Sequence, residues 1–168
     1  MSDPFVTKNI LKWYDLNKRS LPWRKNVSKE KRQYNTLISE FMLQQTQVAT
    51  VIPYFNKFVK EIPNIKKLAS VDNKKLIKLW EGLGYYSRAR NLKKAAQSVI
   101  KNFNGVIPDN FDDLKSLSGI GDYTANAILA IAFNKPYIPL DGNVERIIKR
   151  YLYFCLLYTS PSPRDCQW

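Results

Sequence analysis

Apolar residues recur along the chain at the three- and four-residue spacing of helices, and no segment alternates convincingly between apolar and polar positions as a half-buried strand does. The pattern therefore predicts an all-α protein. The apolar positions of a first short helix are Ile10, Trp13, Tyr14 and Leu16. The core side of a second helix carries Leu37, Phe41, Val48, Val51 and Ile52. Because proline suits the first turn of a helix, Pro53 predicts a third helix that runs through Phe58.

The second half of the chain continues with the same period. Further helices are predicted from an Asp72 cap to Gly82, from Tyr85 to Phe103, near Asp112 to Leu117, up to Phe133 and from about Gly142. The helix that starts near Tyr85 leaves a basic face largely outside, made of Arg88, Arg90, Lys93, Lys94 and Lys101. Most charge runs of this kind only solvate a surface, so their meaning depends on what lies beside them.

One helical stretch, "YNTLISEFMLQQTQVATV" at residues 34 to 51, has an unusual polar face. It carries one carboxylate, Glu40, followed by the uncharged run Gln44, Gln45, Thr46 and Gln47. In a chain rich in lysine, a solvated helix surface would normally carry charges. Amides and hydroxyls suit the edges of nucleic acid bases better than bulk water.

Composition narrows the chemistry. Lys+Arg 27 against Asp+Glu 14 gives the 168-residue chain a formal net charge of +13, which favours nucleic acid first and an anionic membrane second. No apolar run is long enough to span a membrane, and the N-terminus lacks a signal-peptide core, which predicts an intracellular protein. Histidine is absent and Cys155 and Cys166 are the only cysteines, so acid–base chemistry falls to carboxylates, lysine or tyrosine and no metal site is expected.

The segment "LKSLSGIGDYTANAILAIAF" predicts a helix, a tight turn and a second helix, in which Gly119 and Gly121 allow a backbone geometry that side chains would block. The free N–H groups and the dipole of the second helix would form a phosphate-binding site that ignores base identity. A glycine C-cap followed by an unrelated helix is the alternative. The site is favoured because "PLDGNVERIIKR" follows closely.

Five motifs together resemble one family: "LPWR", "SEFMLQQTQVATVIPYF", "LWEGLGYYSRARNL", "LSGIGDYTANAI" and "LDGNV" look like the adenine DNA glycosylases of the MutY family. They occur in order from about Trp13 to Tyr153. The resemblance implies the helix-hairpin-helix glycosylase fold, with a catalytic region at 1–153 that contains the six-helix barrel part. It also implies that the N-terminal helix at 5–18 belongs to an iron–sulfur domain that is otherwise missing. The expected reaction is hydrolysis of the bond from adenine to deoxyribose where adenine is mispaired with 8-oxoguanine or guanine in double-stranded DNA.

The resemblance assigns two catalytic carboxylates. The residue matching Glu40 protonates adenine, and its apolar neighbours Phe41, Met42 and Leu43 are expected to raise its pKa. The residue matching Asp141 stabilises the sugar cation, and its place at a predicted helix N-terminus should keep it ionised. Without the resemblance, Glu40 is more simply a surface residue and Asp141 a helix cap.

The resemblance also assigns residues to DNA and to the extruded base. Gln45 enters the base stack near the flipped adenine, with Gln44 nearby, and Tyr85 wedges beside 8-oxoguanine. With these assignments, Arg88 and Arg90 become candidate phosphate contacts. Trp23 and Arg24 line the adenine pocket, with four extra residues between this segment and Glu40. The complete expected set is Trp23, Arg24, Leu43, Gln44, Gln45, Tyr85, Arg88, Gly119, Gly121, Tyr123 and Asn143.

Two departures from related enzymes bear on the reaction. Endonuclease III-like enzymes carry an attacking lysine where this chain has Tyr123, and some adenine glycosylases carry a lysine where this chain has Glu145. Both predict simple hydrolysis without strand cleavage. The alternatives are an endonuclease III-like glycosylase for oxidised pyrimidines and a DNA-binding fragment that has lost catalysis.

The last departure concerns residues 154–168, "FCLLYTSPSPRDCQW", where the resemblance stops. Part of this segment looks like translated sequencing adaptor, which predicts a non-native tail. The family continues instead with a four-cysteine segment that binds a 4Fe-4S cluster, and usually with a domain that recognises 8-oxoguanine. We therefore expect no cofactor in this chain, a cluster in the full-length protein, and exposure of Trp13 and Tyr14. We further expect a monomer that does not bind membranes, located in the bacterial cytoplasm or, in a eukaryote, in the nucleus or mitochondria.

Overall fold

The computed structural model describes residues 4–151, and every regular element among them is helical. The helices are α1 Pro4–Asn17, α2 Lys29–Leu43, α3 Val48–Glu61, α4 Ile65–Ser70, α5 Asn73–Trp80, α6 Ser87–Asn102, α7 Phe111–Ser116, α8 Asp122–Phe133 and α9 Gly142–Tyr151. A 3₁₀ turn, Pro22–Arg24, lies between α1 and α2. The prediction of an all-α protein is confirmed.

Helix α2 lies at the centre of the core and packs against α3, α6, α8 and the 3₁₀ turn. Its residues 33–42 are all buried. The Tyr34 hydroxyl donates a 2.6 Å hydrogen bond to the Ile62 carbonyl and so ties α2 to the end of α3. On the other side of α3, the Phe58 and Trp80 rings meet edge to face with centroids 6.0 Å apart. Burying each large apolar side chain stabilises the fold by about 1.5–3 kcal/mol.

The boundary between α2 and α3 differs from the prediction. A helix running to Ile52 and a new one from Pro53 were expected, whereas α2 ends at Leu43 and α3 already begins at Val48 with Pro53 inside it. The break occurs at Gln45, whose φ of 57° lies in the left-handed region. The polar run at 44–47 is therefore a surface turn between two helices.

Most other boundaries follow the sequence. Asp72 caps α5 as predicted, accepting hydrogen bonds from the backbone N–H groups of Lys74 at 2.8 Å and Lys75 at 3.2 Å. Helix α4 was not predicted. It is a short element capped by Asn64, whose side chain accepts a 2.9 Å bond from the Lys67 N–H.

Helices α1 and α9 contain no buried residue. Trp13 is 64% and Tyr14 52% exposed, which confirms the expected aromatic patch near the N-terminus. The predicted tail at 154–168 lies outside the described residues, and the division of the chain at residue 153 stays a prediction. Within residues 4–151, no helix is both long and apolar enough to cross a membrane.

Candidate active site

A cleft of about 750 Å³ opens where the 3₁₀ turn, the end of α2, the start of α6 and one face of α8 meet. Much of the predicted site lines it: Trp23, Arg24, Glu40, Leu43, Gln44, Gln45, Tyr85, Arg88 and Tyr123. The tertiary structure thus brings together residues that are as far as 100 positions apart, from Trp23 to Tyr123. Clefts of this size commonly accept a small molecule or a single base.

The cleft also contains residues that the sequence reasoning missed: Arg19, Leu21, Val48, Ser87, Asn91, Ala127, Ile131 and Pro139. Helical spacing could have found two of them. Ala127 and Ile131 follow Tyr123 at intervals of four residues, so all three lie on one face of α8. The remainder come from loops and from the N-terminal parts of α3 and α6, and their approach depends on tertiary packing.

Glu40 lies in the last turn of α2 and is only 8% exposed. Burial raises the pKa of its carboxyl group to about 7, and the positive charge of Arg24 partly opposes that rise. The expected upward shift is confirmed. A carboxyl group with this pKa is substantially protonated at neutral pH and can deliver a proton to a base in the cleft.

The same shift predicts how stability depends on pH. Because the folded pKa of about 7 exceeds the reference value of 4.5, the folded state binds the proton more tightly than the unfolded state. The stabilisation from protonated Glu40 is complete below pH 4.5 and is lost as pH rises through 7. Glu40→Gln has no carboxyl group to ionise over this range. The free energy of unfolding of the variant minus that of the parent should therefore increase by about 3 kcal/mol from pH 4.5 to pH 8. Denaturant unfolding of both chains across this range measures the difference, and a pH-independent difference would contradict the assigned burial.

Asp141 is the N-terminal cap of α9, as predicted. Its Oδ1 accepts hydrogen bonds from the backbone N–H groups of Asn143 at 3.0 Å and Val144 at 2.7 Å. It does not line the cleft directly. Asn143 also lies outside the cleft lining, with its side-chain oxygen accepting a 2.9 Å bond from the Arg146 guanidinium.

Tyr123 is a cleft residue whose pKa is affected by the charge of Asp141. The ring lines the cleft and is 45% exposed. Partial burial raises the pKa of Tyr123, and the charges of Glu40 and Asp141 raise it further while Arg24 lowers it. Both carboxyl groups are therefore near enough to act electrostatically on one phenol, although Glu40 and Asp141 are 101 positions apart in the sequence.

The predicted glycine turn leads into α8. Gly119 has φ of 82°, and its carbonyl accepts a 3.3 Å hydrogen bond from the Gln44 side-chain amide. Next to it, the Ser118 hydroxyl donates a 3.2 Å bond to the side-chain oxygen of Asn91. These contacts fasten the turn to the end of α2 and to α6.

The requirement for glycine holds at only one of the two positions. A Cβ at Gly119 would lie 2.8 Å from Asn91 Cβ and 2.9 Å from Phe41 Cε1, so a side chain is blocked as predicted. Gly121 has an ordinary φ of −96°, and a Cβ there would meet nothing within 4 Å. The expectation that a side chain would be blocked at Gly121 is wrong in this structure. The open space leaves the N-terminus of α8 accessible.

Two exposed residues at the edge of the cleft have left-handed backbone conformations. Gln45 has φ of 57° and Tyr85 has φ of 46°. Non-glycine residues adopt this region at a cost of roughly 1–3 kcal/mol, and such strain is concentrated at functional sites. Tyr85 is 62% exposed even though it is aromatic.

The side chain of Arg88 is buried, and the prediction that it faces solvent is wrong. It was expected on the outer basic face of its helix, but it is only 5% exposed. Its guanidinium group donates to backbone carbonyls of the α2 end and of the 82–86 loop. Arg90, two residues later, is exposed as expected.

Comparison with known proteins identifies the family. Residues 38–155 match the model of the HhH-GPD superfamily base excision DNA repair protein. The chain belongs to this superfamily. Curated relatives include the adenine DNA glycosylases of Buchnera aphidicola subsp. Acyrthosiphon pisum, 48% identical over 152 residues, and of Rattus norvegicus, 45% identical over 148 residues. The matches cover 90% and 85% of this chain but 42% and 29% of those relatives, so the chain spans less than half of their length.

Solved structures of the superfamily have the same fold. A thermostable thymine-DNA glycosylase matches with TM-score 0.77 and 27% identity, covering 86% of this chain and 65% of the other. A non-covalent endonuclease III–DNA complex matches with TM-score 0.73, covering 95% of this chain and 73% of the other, and at 24% identity it supports the fold alone. The predicted helix-hairpin-helix glycosylase fold is confirmed.

A metal ion or an iron–sulfur cluster requires side chains that are placed to hold it. Between residues 4 and 151, no group of His, Cys, Asp or Glu side chains is placed to hold a metal ion. Cys155 and Cys166 lie outside the described residues. The two cysteines of the chain do not fit a cluster that is held by four thiolates.

Proposed function

We propose that this chain contains the catalytic residues of an adenine DNA glycosylase, a hydrolase that removes adenine mispaired with 8-oxoguanine or guanine in double-stranded DNA. The observation that carries the proposal is the buried Glu40, with a pKa of about 7, in a cleft of about 750 Å³. The curated names of its relatives support the choice of adenine over other bases.

The reaction follows from two carboxyl groups in different environments. Adenine leaves poorly as an anion, so Glu40 gives its proton to the ring while the bond from base nitrogen to sugar C1′ breaks. The bonding electrons leave with adenine, which departs as a neutral base, and the sugar becomes a cation. The Asp141 carboxylate stabilises that cation, and water then adds to C1′ and loses a proton, which restores Glu40.

Before this chemistry, adenine must leave the duplex, at a cost of a few kcal/mol. The exposed Gln45 and Tyr85 lie at the edge of the cleft, where they can fill the stack and wedge the opposite base. The open N-terminus of α8 beyond Gly121 is suited to a phosphate. The formal charge of +13 supports binding to the DNA backbone.

Base release separates this proposal from its rivals. Duplexes carrying adenine opposite 8-oxoguanine or guanine are incubated with the chain, and free adenine is measured, with a thymine glycol duplex as control. We expect adenine release and no thymine glycol release. Release of thymine glycol alone would favour the endonuclease III-like alternative, and binding without any release would favour a DNA-binding fragment.

Borohydride trapping tests the absence of a lyase step. A Schiff base requires an amine, and Tyr123 supplies a phenol at the position where a lyase carries lysine. We expect the chain to give little covalent complex with adenine-mispaired DNA in borohydride, in contrast to Tyr123→Lys. Strong trapping of the parent chain that survives replacement of its surface lysines would contradict simple hydrolysis.

A further inference from the structure

The guanidinium group of Arg88 lies between two separate turns at the cleft. Its Nη1 donates to the carbonyl oxygens of Phe41 at 3.4 Å, Met42 at 2.8 Å and Gln44, which belong to the last turn of α2 and its C-cap. A helix end leaves such carbonyls without partners within the helix. Arg88 therefore supplies hydrogen-bond donors to carbonyls at the C-terminus of α2, immediately before Gln45.

The other terminal nitrogen of Arg88 binds the second turn. Nη2 donates to the carbonyl oxygens of Leu83 at 3.1 Å and Gly84 at 3.3 Å, directly before Tyr85. The guanidinium carbon Cζ also lies 5.7 Å from the centroid of the Trp80 ring and 5.5 Å from that of the Tyr85 ring. The buried guanidinium group of Arg88 thus binds the backbone of both segments at the edge of the cleft, the end of α2 and the 82–86 loop.

Both turns carry a residue in the left-handed region, Gln45 and Tyr85. Such conformations persist only where surrounding contacts hold them in place. The bonds from Arg88 end one residue before each strained position, at Gln44 and Gly84. Other side chains of α6 that face solvent, such as Lys94, have no comparable access to these carbonyls.

We propose that Arg88 is a positioning residue that presets Gln45 and Tyr85 together for insertion into the duplex, and that it does not act as a phosphate contact. This inference rests on the proposed function, because it assumes that those two residues extrude a base. With both residues held before binding, less conformational entropy is lost when DNA is opened. A lysine at position 88 keeps the charge but lacks the planar fork that reaches both turns.

The test uses the full chain and a duplex with 2-aminopurine opposite 8-oxoguanine, because the fluorescence of 2-aminopurine rises when the base leaves the stack. We expect Arg88→Lys to lower the equilibrium constant for unstacking about 10-fold while the duplex Kd changes less than about 3-fold. In a Gln45→Ala/Tyr85→Ala background, the same substitution should add less than about 2-fold, because the residues through which it acts are gone.

Val99→Ala is the control for stability, since Val99 is fully buried on α6 away from the cleft lining. Val99→Ala should lower Tm without lowering the equilibrium constant for unstacking.

Amide hydrogen exchange gives a second measurement. Arg88→Lys should speed exchange at 44–47 and 82–86 together, while the C-terminal half of α6 stays protected. Should Arg88→Lys fail to fold, Arg88→Gln, which keeps two N–H donors, is measured instead.

Several outcomes overturn the inference. They are unchanged unstacking with a weaker Kd, an equal loss in the doubly substituted background, exchange that rises throughout the chain, or unfolding of both Arg88 variants. A parent chain that unstacks the probe but releases no adenine refutes the proposed function and leaves the Arg88 comparison intact. A parent chain that never unstacks the probe refutes both.

Discussion

Glu40→Gln should abolish adenine release while leaving duplex binding intact. The amide keeps the shape of the carboxyl group at the 8% exposed site but has no acidic proton to deliver. General acid catalysis contributes about 10²–10⁴-fold, and adenine depends heavily on it because the anion leaves poorly, so we expect a loss of at least about 10³-fold. Single-turnover adenine release, with duplex Kd measured separately, checks this expectation.

Glu30→Gln is the matched control. Glu30 is exposed in the first turn of the same helix and does not line the cleft, so its substitution should leave release within about 2-fold of the parent. Release by Glu40→Gln at the parent rate would remove Glu40 from the mechanism. The variant should also gain stability above pH 7, so its lost activity could not be attributed to unfolding.

Gly119→Ala should destabilise the chain by about 2–5 kcal/mol, because it adds left-handed strain to overpacking. The φ of 82° is unfavourable for alanine, and the new methyl group would lie within 3 Å of both Asn91 Cβ and Phe41 Cε1. These neighbours have little room to move, since Phe41 is fully buried and the Asn91 side chain accepts a hydrogen bond from Ser118. Chemical denaturation of the parent and the variant measures the loss.

Gly121→Ala provides the comparison within the same turn. Its φ of −96° suits alanine and its Cβ would lie in open space. Alanine is a weaker helix cap than glycine but reduces the entropy of the unfolded chain, so the net change should stay within about 1 kcal/mol. Equal losses from the two substitutions would show that the turn is not held as the structure indicates.

The sequence predicted the turn that contains Gly119 and Gly121, but it did not predict which of the two glycines is sterically required. The spacing "GIG" predicted a tight turn before a helix, and Gly119 adopts the expected geometry. Nothing in the spacing distinguished Gly119 from Gly121. The difference arises from Asn91 and Phe41, which reach the turn from α6 and α2.

The sequence by itself determined the helical class, most helix boundaries and the family, because these depend on local periodicity, capping residues and motif order. It also identified Glu40, Gln45 and Tyr85 as residues of the candidate site. The break at 44–47 was missed because an apolar period of 3.6 continues across it, and periodicity does not record the backbone conformation of one residue.

Only the tertiary structure decided the environment of each side chain. Arg88 belongs to a basic run by sequence, yet the guanidinium is buried because it donates to carbonyls of the distant α2 end as well as to those of the adjacent 82–86 loop. Glu40 acquires its pKa of about 7 from enclosure in the folded core, although the charge of Arg24 in the 3₁₀ turn lowers that pKa. Desolvation and hydrogen bonding depend on what surrounds a group in space, and those neighbours come from elements far apart along the chain.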